Sequence, residues 1–178
     1  MRQLSKTLIA LLVVLAGCVR VPDNVVPVDG FQADRYLGTW YEIARLDHSF
    51  ERGLDNVTAT YSWRDDGGLR VLNRGYDAAR DEWKEIEGKA YFVGEPGVGR
   101  LKVSFFGPFY GGYNIVALDK EEYGYALVSG PTRSYLWILA RTPMLGAATR
   151  ERLVAEAQAM GFATEALIYV KHDLYVPD

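Results

Sequence analysis

Residues 101–118, "LKVSFFGPFYGGYNIVAL", contain two runs of β-branched and aromatic residues separated by a turn rich in Gly and Pro. Such runs favour strands, and Gly and Pro between them favour a reversal of the chain. The stretch therefore predicts an antiparallel hairpin of two strands, Leu101–Phe106 and Tyr113–Leu118. The same pattern of short strands and turns recurs on both sides of it.

Eight strands of this kind follow one another, joined by turns such as "RDDGG", "GEPGVG" and "DKEEYG". Short links between successive strands favour an up-and-down meander over βαβ units. Eight antiparallel strands can close into a barrel that holds one small ligand. We therefore predict a mainly β fold, an eight-stranded antiparallel up-and-down barrel. The strands outside the hairpin are Trp40–Leu46, Val57–Trp63, Leu69–Tyr76, Glu85–Val93, Tyr125–Ser129 and Tyr135–Ala140.

The hydrophobic period changes after the last barrel strand. Apolar residues fall at helical spacing within Gly146–Met160, and Gly161 follows as a stop signal. This pattern predicts one C-terminal amphipathic α-helix. Ala166–Val170 then predicts a short extra strand.

The N-terminus carries an export signal. Nine apolar residues, Leu8–Ala16, follow Arg2 and Lys6. A helix needs roughly 20 apolar residues to cross a bilayer, so this run predicts a signal peptide over residues 1–17. Leu15-Ala16-Gly17-Cys18 resembles the lipobox of bacterial lipoproteins. That resemblance implies that Cys18, the only cysteine, is lipidated and becomes the mature N-terminus. An ordinary signal peptide with an incidental Cys is the alternative.

The resemblance to bacterial lipoproteins also implies a cellular location. Residue 19 is Val, without the Asp that tends to retain such lipoproteins at the inner membrane, which implies anchoring at the periplasmic face of an outer membrane. Residues 18–30 contain two Pro and no helical period, so we predict a lipidated N-terminus and an extended tether, followed by one domain over 31–178. Of 20 Lys and Arg residues, two lie within 1–17, so 18 remain against 23 Asp and Glu, a formal charge of −5. This balance argues against a nucleic-acid partner.

Closure of the barrel brings the start of strand one and the ends of strands six and eight to one end. Those places hold Gly38-Thr39-Trp40, the turn with Asp119, and Arg141. In this order they resemble the motifs of the lipocalin family. "YLGTWYEIARLDHSFERGLDNVTATYS" and "YLWILARTP" are similar to its bacterial outer-membrane members. Trp40 can fill the closed end with Arg141 across its ring as a cation–π pair. Gly38, Trp40, Asp119 and Arg141 are therefore predicted to form a structural floor.

Strand alternation from Trp40 and Arg141 predicts which residues face the interior. Aromatic walls with few polar groups suit an acyl chain, and barrel size together with the resemblance favours a cavity over a solid core. An inward Glu42 would need an interior Arg, Tyr or Trp partner. Phe105 and Leu127 are further candidates, and for these two, as for Tyr113 and Ile115, inward or outward facing stays open. The predicted ligand-binding residues are Trp137, Tyr135, Leu139, Ala44, Glu42, Tyr113 and Ile115.

Two links border the predicted open end. "LDHSFERGLDN", the longest irregular link between strands, suits a lid and contains His48. "FFGPFYGGYN" places Phe106, Phe109 and Tyr110 on a turn at the same end. These aromatics either form an interaction surface or fold back over the rim. Arg45, His48 and Arg52 could meet an anionic headgroup or form surface salt pairs.

Three functions remain open at this stage. The resemblance implies a membrane-anchored protein that stores or transports fatty acids or lysophospholipids for membrane maintenance. The alternatives are a lipid-acting enzyme, and a filled barrel that docks another protein or a second copy of itself through the aromatic loop. The sequence contains no G-x-S-x-G, G-x-G-x-x-G or Walker pattern, and its two His residues lack metal-ligand spacing. We predict no catalytic residue, no metal site and no cofactor, with His48 as a haem ligand the open alternative.

Overall fold

The structure is a computed structural model that describes residues 19–174. The predicted signal peptide and Cys18 lie outside the described residues. Nine strands form one antiparallel sheet, which closes because β1 pairs with both β2 and β8. The elements are α1 (Ala33–Tyr36), β1 (Gly38–Arg45), β2 (Leu54–Trp63), β3 (Leu69–Asp77), β4 (Glu82–Phe92), β5 (Arg100–Phe106), β6 (Phe109–Leu118), β7 (Tyr125–Ser129), β8 (Leu136–Ala140), α2 (Ala147–Ala159) and β9 (Ile168–Tyr169).

The predicted barrel, C-terminal helix and extra strand are all confirmed. The largest difference from the predicted strand bounds lies in the β5–β6 hairpin, where β6 begins at Phe109 instead of Tyr113. Phe106 pairs directly with Phe109, so only Gly107 and Pro108 form the turn. Residues 109–112, which were predicted to belong to the turn, therefore form the first part of β6. The short helix α1 was not predicted.

The barrel has two ends. The links β1–β2 (residues 46–53, here the lid), β3–β4, β5–β6 and β7–β8 lie at one end, which we call the mouth. The start of β1 and the ends of β6 and β8 lie at the other end, the floor. An inner cluster of buried apolar residues fills the floor half; it includes Tyr36, Trp40, Leu69, Ile115 and Val128.

Helix α2 packs on the outside of the barrel. Leu153 and Ala157 are its buried residues, and they join an outer cluster that contains Leu127, Leu136 and Ile138. β9 pairs with the second half of β1, at Ala44 and Arg45, where β1 no longer pairs with β2. Within residues 19–174, no helix combines the length and the apolarity needed to cross a membrane.

A β-bulge interrupts β1. Glu42 pairs with Leu139 while Ala44 pairs with Ile138, so Ile43 is an extra residue in the strand. A bulge of this kind shifts the alternation of side chains beyond it. Ile43 and Ala44 both belong to the outer cluster, and Arg45 becomes the next buried polar residue after Glu42.

Residues 19–30 form a strap along the barrel rather than a free linker. Val25 is buried in the outer cluster. The N–H of Val28 donates to the carbonyl of Ile115 at 2.8 Å, and its carbonyl accepts from the N–H of Gly99 at 2.8 Å. The predicted extended conformation is present, but apolar side chains and paired backbone groups hold it on the wall.

Candidate ligand-binding site

The floor is closed by Arg141 stacked on Trp40. The guanidinium carbon lies 3.9 Å from the ring centroid. The same group donates to the carbonyls of Thr39 at 3.0 Å and Arg35 at 2.7 Å, so it connects α1, β1 and the end of β8. Gly38 has a φ of +91°, and a Cβ there would lie 3.4 Å from the Arg141 guanidinium. The predicted floor geometry is therefore present.

Asp119 organises the β6–β7 turn at this end. Its carboxylate accepts from the N–H groups of Glu121, Glu122 and Gly124 at 3.2–3.3 Å. The turn brings Tyr123 into the inner cluster, where its hydroxyl accepts from the N–H of Gln32 at 3.0 Å. Tyr123 thus joins α1 to the floor. Tyr123 was not predicted to have a role, because the Asp–Tyr pair of the second lipocalin motif is stretched here to Asp119-Lys-Glu-Glu-Tyr123.

Above the floor, three tyrosine hydroxyls form one hydrogen-bonded chain. Tyr36 and Tyr113 lie 2.7 Å apart through their hydroxyl oxygens, and the hydroxyl of Tyr61 donates to that of Tyr113 at 2.8 Å. Burial raises the pKa of all three well above 10, so they stay neutral phenols at physiological pH. These hydroxyls satisfy one another, which leaves the ring faces to line the space above them.

A cavity of about 760 Å³ extends from this tyrosine chain to the mouth. Its volume lies within the roughly 300–1,000 Å³ usual for small-molecule sites. The walls are mostly apolar or aromatic, and the rim includes the exposed Phe106 and Phe109. The interior is therefore not a solid core. Lining residues from the middle strands include Leu69, Val71, Ala90, Leu101, Val103 and Phe105.

The structure places most of the predicted ligand-binding residues around this cavity. They are Trp137, Tyr135, Leu139, Glu42 and Tyr113. Ala44 is misplaced: the bulge turns it outward into the outer cluster, fully buried against β8 and β9. Ile115 belongs to the inner cluster but does not line the cavity. Of the two open candidates, Phe105 lines the cavity and Leu127 lies in the outer cluster.

Several lining residues were missed. Tyr61 on β2, Leu69 and Val71 on β3, and Leu101 and Val103 on β5 were not named as site residues. Their signal was present, since positions two apart on each strand face the same side of the sheet. Inward-facing positions were counted only from Trp40 on β1 and from Arg141 at the end of β8. Alternation on the middle strands could not be tied to the interior without the pairing register.

A cluster of buried charged groups lies in the wall where the lid meets the barrel. Arg45, 2% exposed, donates to Glu42 Oε1 at 2.7 Å, which gives Glu42 the interior partner it was predicted to need. It also donates to the carbonyls of Glu51 at 2.9 Å and Leu54 at 3.0 Å. Glu51 in turn lies 3.0 Å from His48 Nε2 and accepts from Trp137 Nε1 at 3.0 Å. The cluster fastens both ends of the lid to the barrel wall.

The two carboxylates in this cluster have opposite pKa shifts. Burial and the nearby negative charge of Glu51 raise the pKa of Glu42 well above its usual value, despite the pairing with Arg45. Burial also opposes ionisation of Glu51, but the close contact with His48, the hydrogen bond from Trp137 and the charge of Arg45 lower its pKa below the usual value. The cluster therefore favours ionisation of Glu51 and opposes ionisation of Glu42.

The residues predicted for the mouth have different roles. Phe106, Phe109 and Tyr110 lie on the rim of the cavity, with Phe106 70% and Phe109 71% exposed. His48 is buried in the lid behind the cavity wall, stacked on Phe50 with ring centroids 4.0 Å apart. Its Nε2 lies 3.0 Å from Glu51, and the ring does not line the cavity, which does not support the haem-ligand alternative.

The cations predicted for a headgroup are also engaged with the protein. Arg45 is enclosed by the cluster, and the exposed Arg52 forms a fork with Asp47 at 2.7–3.2 Å. Within residues 19–174 no group of His, Cys, Asp and Glu side chains has the geometry of a metal site. Two cations line the cavity toward the rim and both are paired: the Lys84 ammonium lies 2.5 Å from Asp77, and Arg74 Nε lies 3.1 Å from Glu85.

A closed floor, an up-and-down barrel and an apolar cavity open at one end define a barrel of the class that encloses small apolar ligands. The family model described as "Lipocalin-like domain" matches residues 31–172. The chain belongs to the lipocalin family.

Known proteins resemble the chain over nearly its whole length. It is 58% identical to Outer membrane lipoprotein Blc of Citrobacter freundii, over 91% of each chain. It is 55% identical to Outer membrane lipoprotein Blc of Vibrio cholerae serotype O1, over 89% of this chain and 93% of the relative. Among solved structures, insecticyanin of the tobacco hornworm Manduca sexta matches with a TM-score of 0.68 and 19% identity, over 86% of this chain and 87% of that one, which shows the shared fold.

Proposed function

We propose that the protein is an outer-membrane lipoprotein, anchored at the periplasmic face through Cys18, that binds fatty acids or lysophospholipids in its barrel. The observation that carries the proposal is the apolar cavity of about 760 Å³ that opens between aromatic residues at the mouth. Each buried CH₂ of an acyl chain contributes roughly 0.8 kcal/mol, so a long chain gains most from such walls. The names of the bacterial relatives and the Cys18 pattern support the anchor.

The charges of the site favour one ligand orientation. Glu42 and Glu51 lie in the interior wall, where a ligand carboxylate or phosphate would meet an ionised Glu51. Lys84 lies on the rim, where an anion remains solvated. We therefore place the acyl chain between the walls, in contact with Trp137, Tyr135, Leu139 and Tyr113, and the headgroup at the mouth. Storage or transport of lipid for membrane maintenance is the role that follows.

The test is native mass spectrometry of the full chain purified gently from bacterial membranes, with organic extraction of whatever accompanies it. We expect a stoichiometric acyl-chain adduct. Val103→Glu places a carboxylate in the cavity wall and should abolish the adduct. Lys102→Glu is the control, because Lys102 is the next residue on β5 and does not line the cavity.

Two results would contradict the proposal. One is an adduct that survives Val103→Glu, which would place the lipid elsewhere on the protein. The other is a bare mass that also fails to take up added palmitate or lysophosphatidylethanolamine. The enzyme alternative predicts instead that an added lysophospholipid is converted, which the same mass spectra would detect as a product.

A further inference from the structure

The barrel wall has a seam on one side of the mouth. The direct pairing of β1 with β2 ends at Tyr41 opposite Thr58. Each of the two strands has a β-bulge just beyond this point. Bulges end regular pairing and redirect a strand. Residues 42–45 of β1 and residues 54–57 of β2 therefore lie on either side of a seam, which runs from the end of this pairing to the mouth.

The C-terminal segment covers the seam from the outside. We call residues 168–174 the clasp. Its first part, β9, pairs with Ala44 and Arg45 of β1. On the inside, the Arg45 guanidinium crosses the same seam and donates to the carbonyl of Leu54 at 3.0 Å. The clasp and Arg45 thus connect the two strands where their own ladder has ended.

Asn56 fastens the clasp to β2. Its backbone N–H donates to the carbonyl of Lys171 at 2.8 Å. Its side-chain Nδ2 donates to Asp173 Oδ1 at 3.2 Å, and its Oδ1 accepts from the N–H of Leu174 at 3.0 Å. Asn56 is 2% exposed and has a φ of +53°, a conformation that Gly and Asn adopt more readily than other residues. One residue of β2 therefore holds three residues of the clasp.

The clasp has little apolar surface to hold it in place. β9 has two residues, whereas the shortest barrel strands have five. Tyr169 is 51% exposed and Leu174 is 42% exposed. Segments that bury few apolar groups open at a lower free-energy cost than the whole fold. The clasp can therefore part from β2 while the barrel stays folded.

The seam adjoins the lid over the cavity. Phe50 and Glu51 of the lid line the cavity, and the lid continues into β2 at Leu54, on one side of the seam. When the clasp parts from β2, Arg45 alone still bridges the seam. This end of the lid then has freedom to move outward with the beginning of β2, and the mouth widens.

We propose that the clasp controls the exchange of lipid, with Asn56 as the positioning residue that holds it closed. The proposal rests on the proposed function, the binding of lipid in the barrel. Ligand enters and leaves through the same widened mouth, so the clasp sets the rates of uptake and release together. Asn56 does not line the cavity, so its contacts leave the equilibrium affinity unchanged.

The experiment follows a bound probe as it leaves the full chain, reconstituted in phospholipid vesicles. The probe is dansyl-undecanoate, a fatty acid that accepts excitation energy from tryptophan, and Trp137 lies in the cavity wall. Mixing with an excess of protein-free vesicles removes released probe, and the loss of energy transfer gives the release rate. Mixing unloaded protein with probe gives the uptake rate, and a titration gives the Kd.

Asn56→Gly removes the amide that binds the clasp and keeps a residue that accepts the positive φ. We expect uptake and release both to become several-fold faster, with the Kd unchanged. Asn24→Gly is the matched control, because Asn24 is an exposed residue of the strap that also has a positive φ, +60°. It should change neither rate. Asp173→Ala removes one of the same bonds from the exposed side, and it should accelerate exchange in the same direction if Asn56→Gly does not fold.

Three outcomes decide the matter. Unchanged rates in Asn56→Gly and Asp173→Ala, with the probe bound, would overturn the role of the clasp and leave the proposed function standing. Faster release with unchanged uptake, and hence a weaker Kd, would also overturn it, because the substitution would then act on the bound state. An unmodified chain that takes up no probe would contradict the proposed function itself.

Discussion

Arg141 lies across the face of Trp40 at 3.9 Å and joins the beginning of the barrel to its end. Its guanidinium also donates to the backbone carbonyls of Arg35, Thr39 and Tyr123. A charged planar group with several donors is suited to this role, since it combines ring stacking with directed hydrogen bonds. The floor is thus a stabilising element on the opposite side of the barrel from the proposed site.

Arg141→Ala should lower the free energy of unfolding by about 2–4 kcal/mol, because it removes a cation–π contact and leaves three carbonyls without a charged donor. Arg152→Ala is the control, since Arg152 forms an exposed cation–π contact with Tyr125 and a surface ion pair with Glu156. That change should cost about 0–1 kcal/mol. Denaturant unfolding measures both. Similar losses of unfolding free energy in the two variants would show that the contacts of Arg141 at the floor stabilise the fold no more than an exposed surface contact does.

Glu51→Gln should weaken the fold at neutral pH. The folded-state pKa of Glu51 lies below its usual 4.5, so its ionised form stabilises the protein above pH of about 4.5. That contribution is lost as the pH falls through the lowered folded-state pKa. We expect the variant to lose about 1.5–3 kcal/mol at pH 7 and to show a smaller further loss on acidification. Unfolding curves at a series of pH values measure this.

Glu42→Gln provides the contrast within the same cluster. The folded-state pKa of Glu42 is raised, so its contribution to stability is present below pH of about 4.5 and is lost as the pH rises toward the folded value. A neutral amide at this position should therefore destabilise the protein less at pH 7 than Glu51→Gln does. Equal losses at pH 7 would mean that the two carboxylates have the same charge state in the folded protein.

Ala44→Leu and Ala59→Leu should separate stability from ligand capacity. Ala44 is enclosed in the outer cluster, so a larger side chain there should cost about 1–3 kcal/mol of stability and leave lipid uptake unchanged. Ala59 lines the cavity, so the same substitution should reduce lipid uptake at a smaller loss of stability. Thermal unfolding and native mass spectrometry with added palmitate measure the two effects. Reduced uptake by Ala44→Leu alone would place Ala44 in the cavity wall after all.

Gly112→Val should release the beginning of the strap. Its Cβ would come within 2.9 Å of the carbonyl oxygen of Arg20, so the strap must move away from the wall. We expect faster tryptic cleavage after Arg20 in detergent-solubilised full chain. Gly111→Val is the control, because a Cβ at Gly111 meets nothing within 4 Å. Cleavage that is equally fast in the unmodified protein would mean that the strap does not hold Arg20 in solution.

The sequence by itself determined the order of strands, the floor and much of the cavity. Alternation of apolar and polar residues is local, so the strands from Trp40 to Ala140 could be predicted with small errors at their ends. Closure of eight such strands places Trp40, Asp119 and Arg141 at one end whatever the side chains do elsewhere. The positions of Trp137, Tyr135 and Glu42 followed from counting in steps of two along β1 and β8.

Only the tertiary structure decided where that counting fails. The bulge at Ile43 lies where β1 leaves β2 to pair with β9, and it turns Ala44 outward and Arg45 inward. The strap of residues 19–30 is likewise fixed by backbone bonds to Gly99 and Ile115, more than 60 residues away. Contacts between distant segments leave no period in the sequence, and they set both the wall of the cavity and the path of the strap.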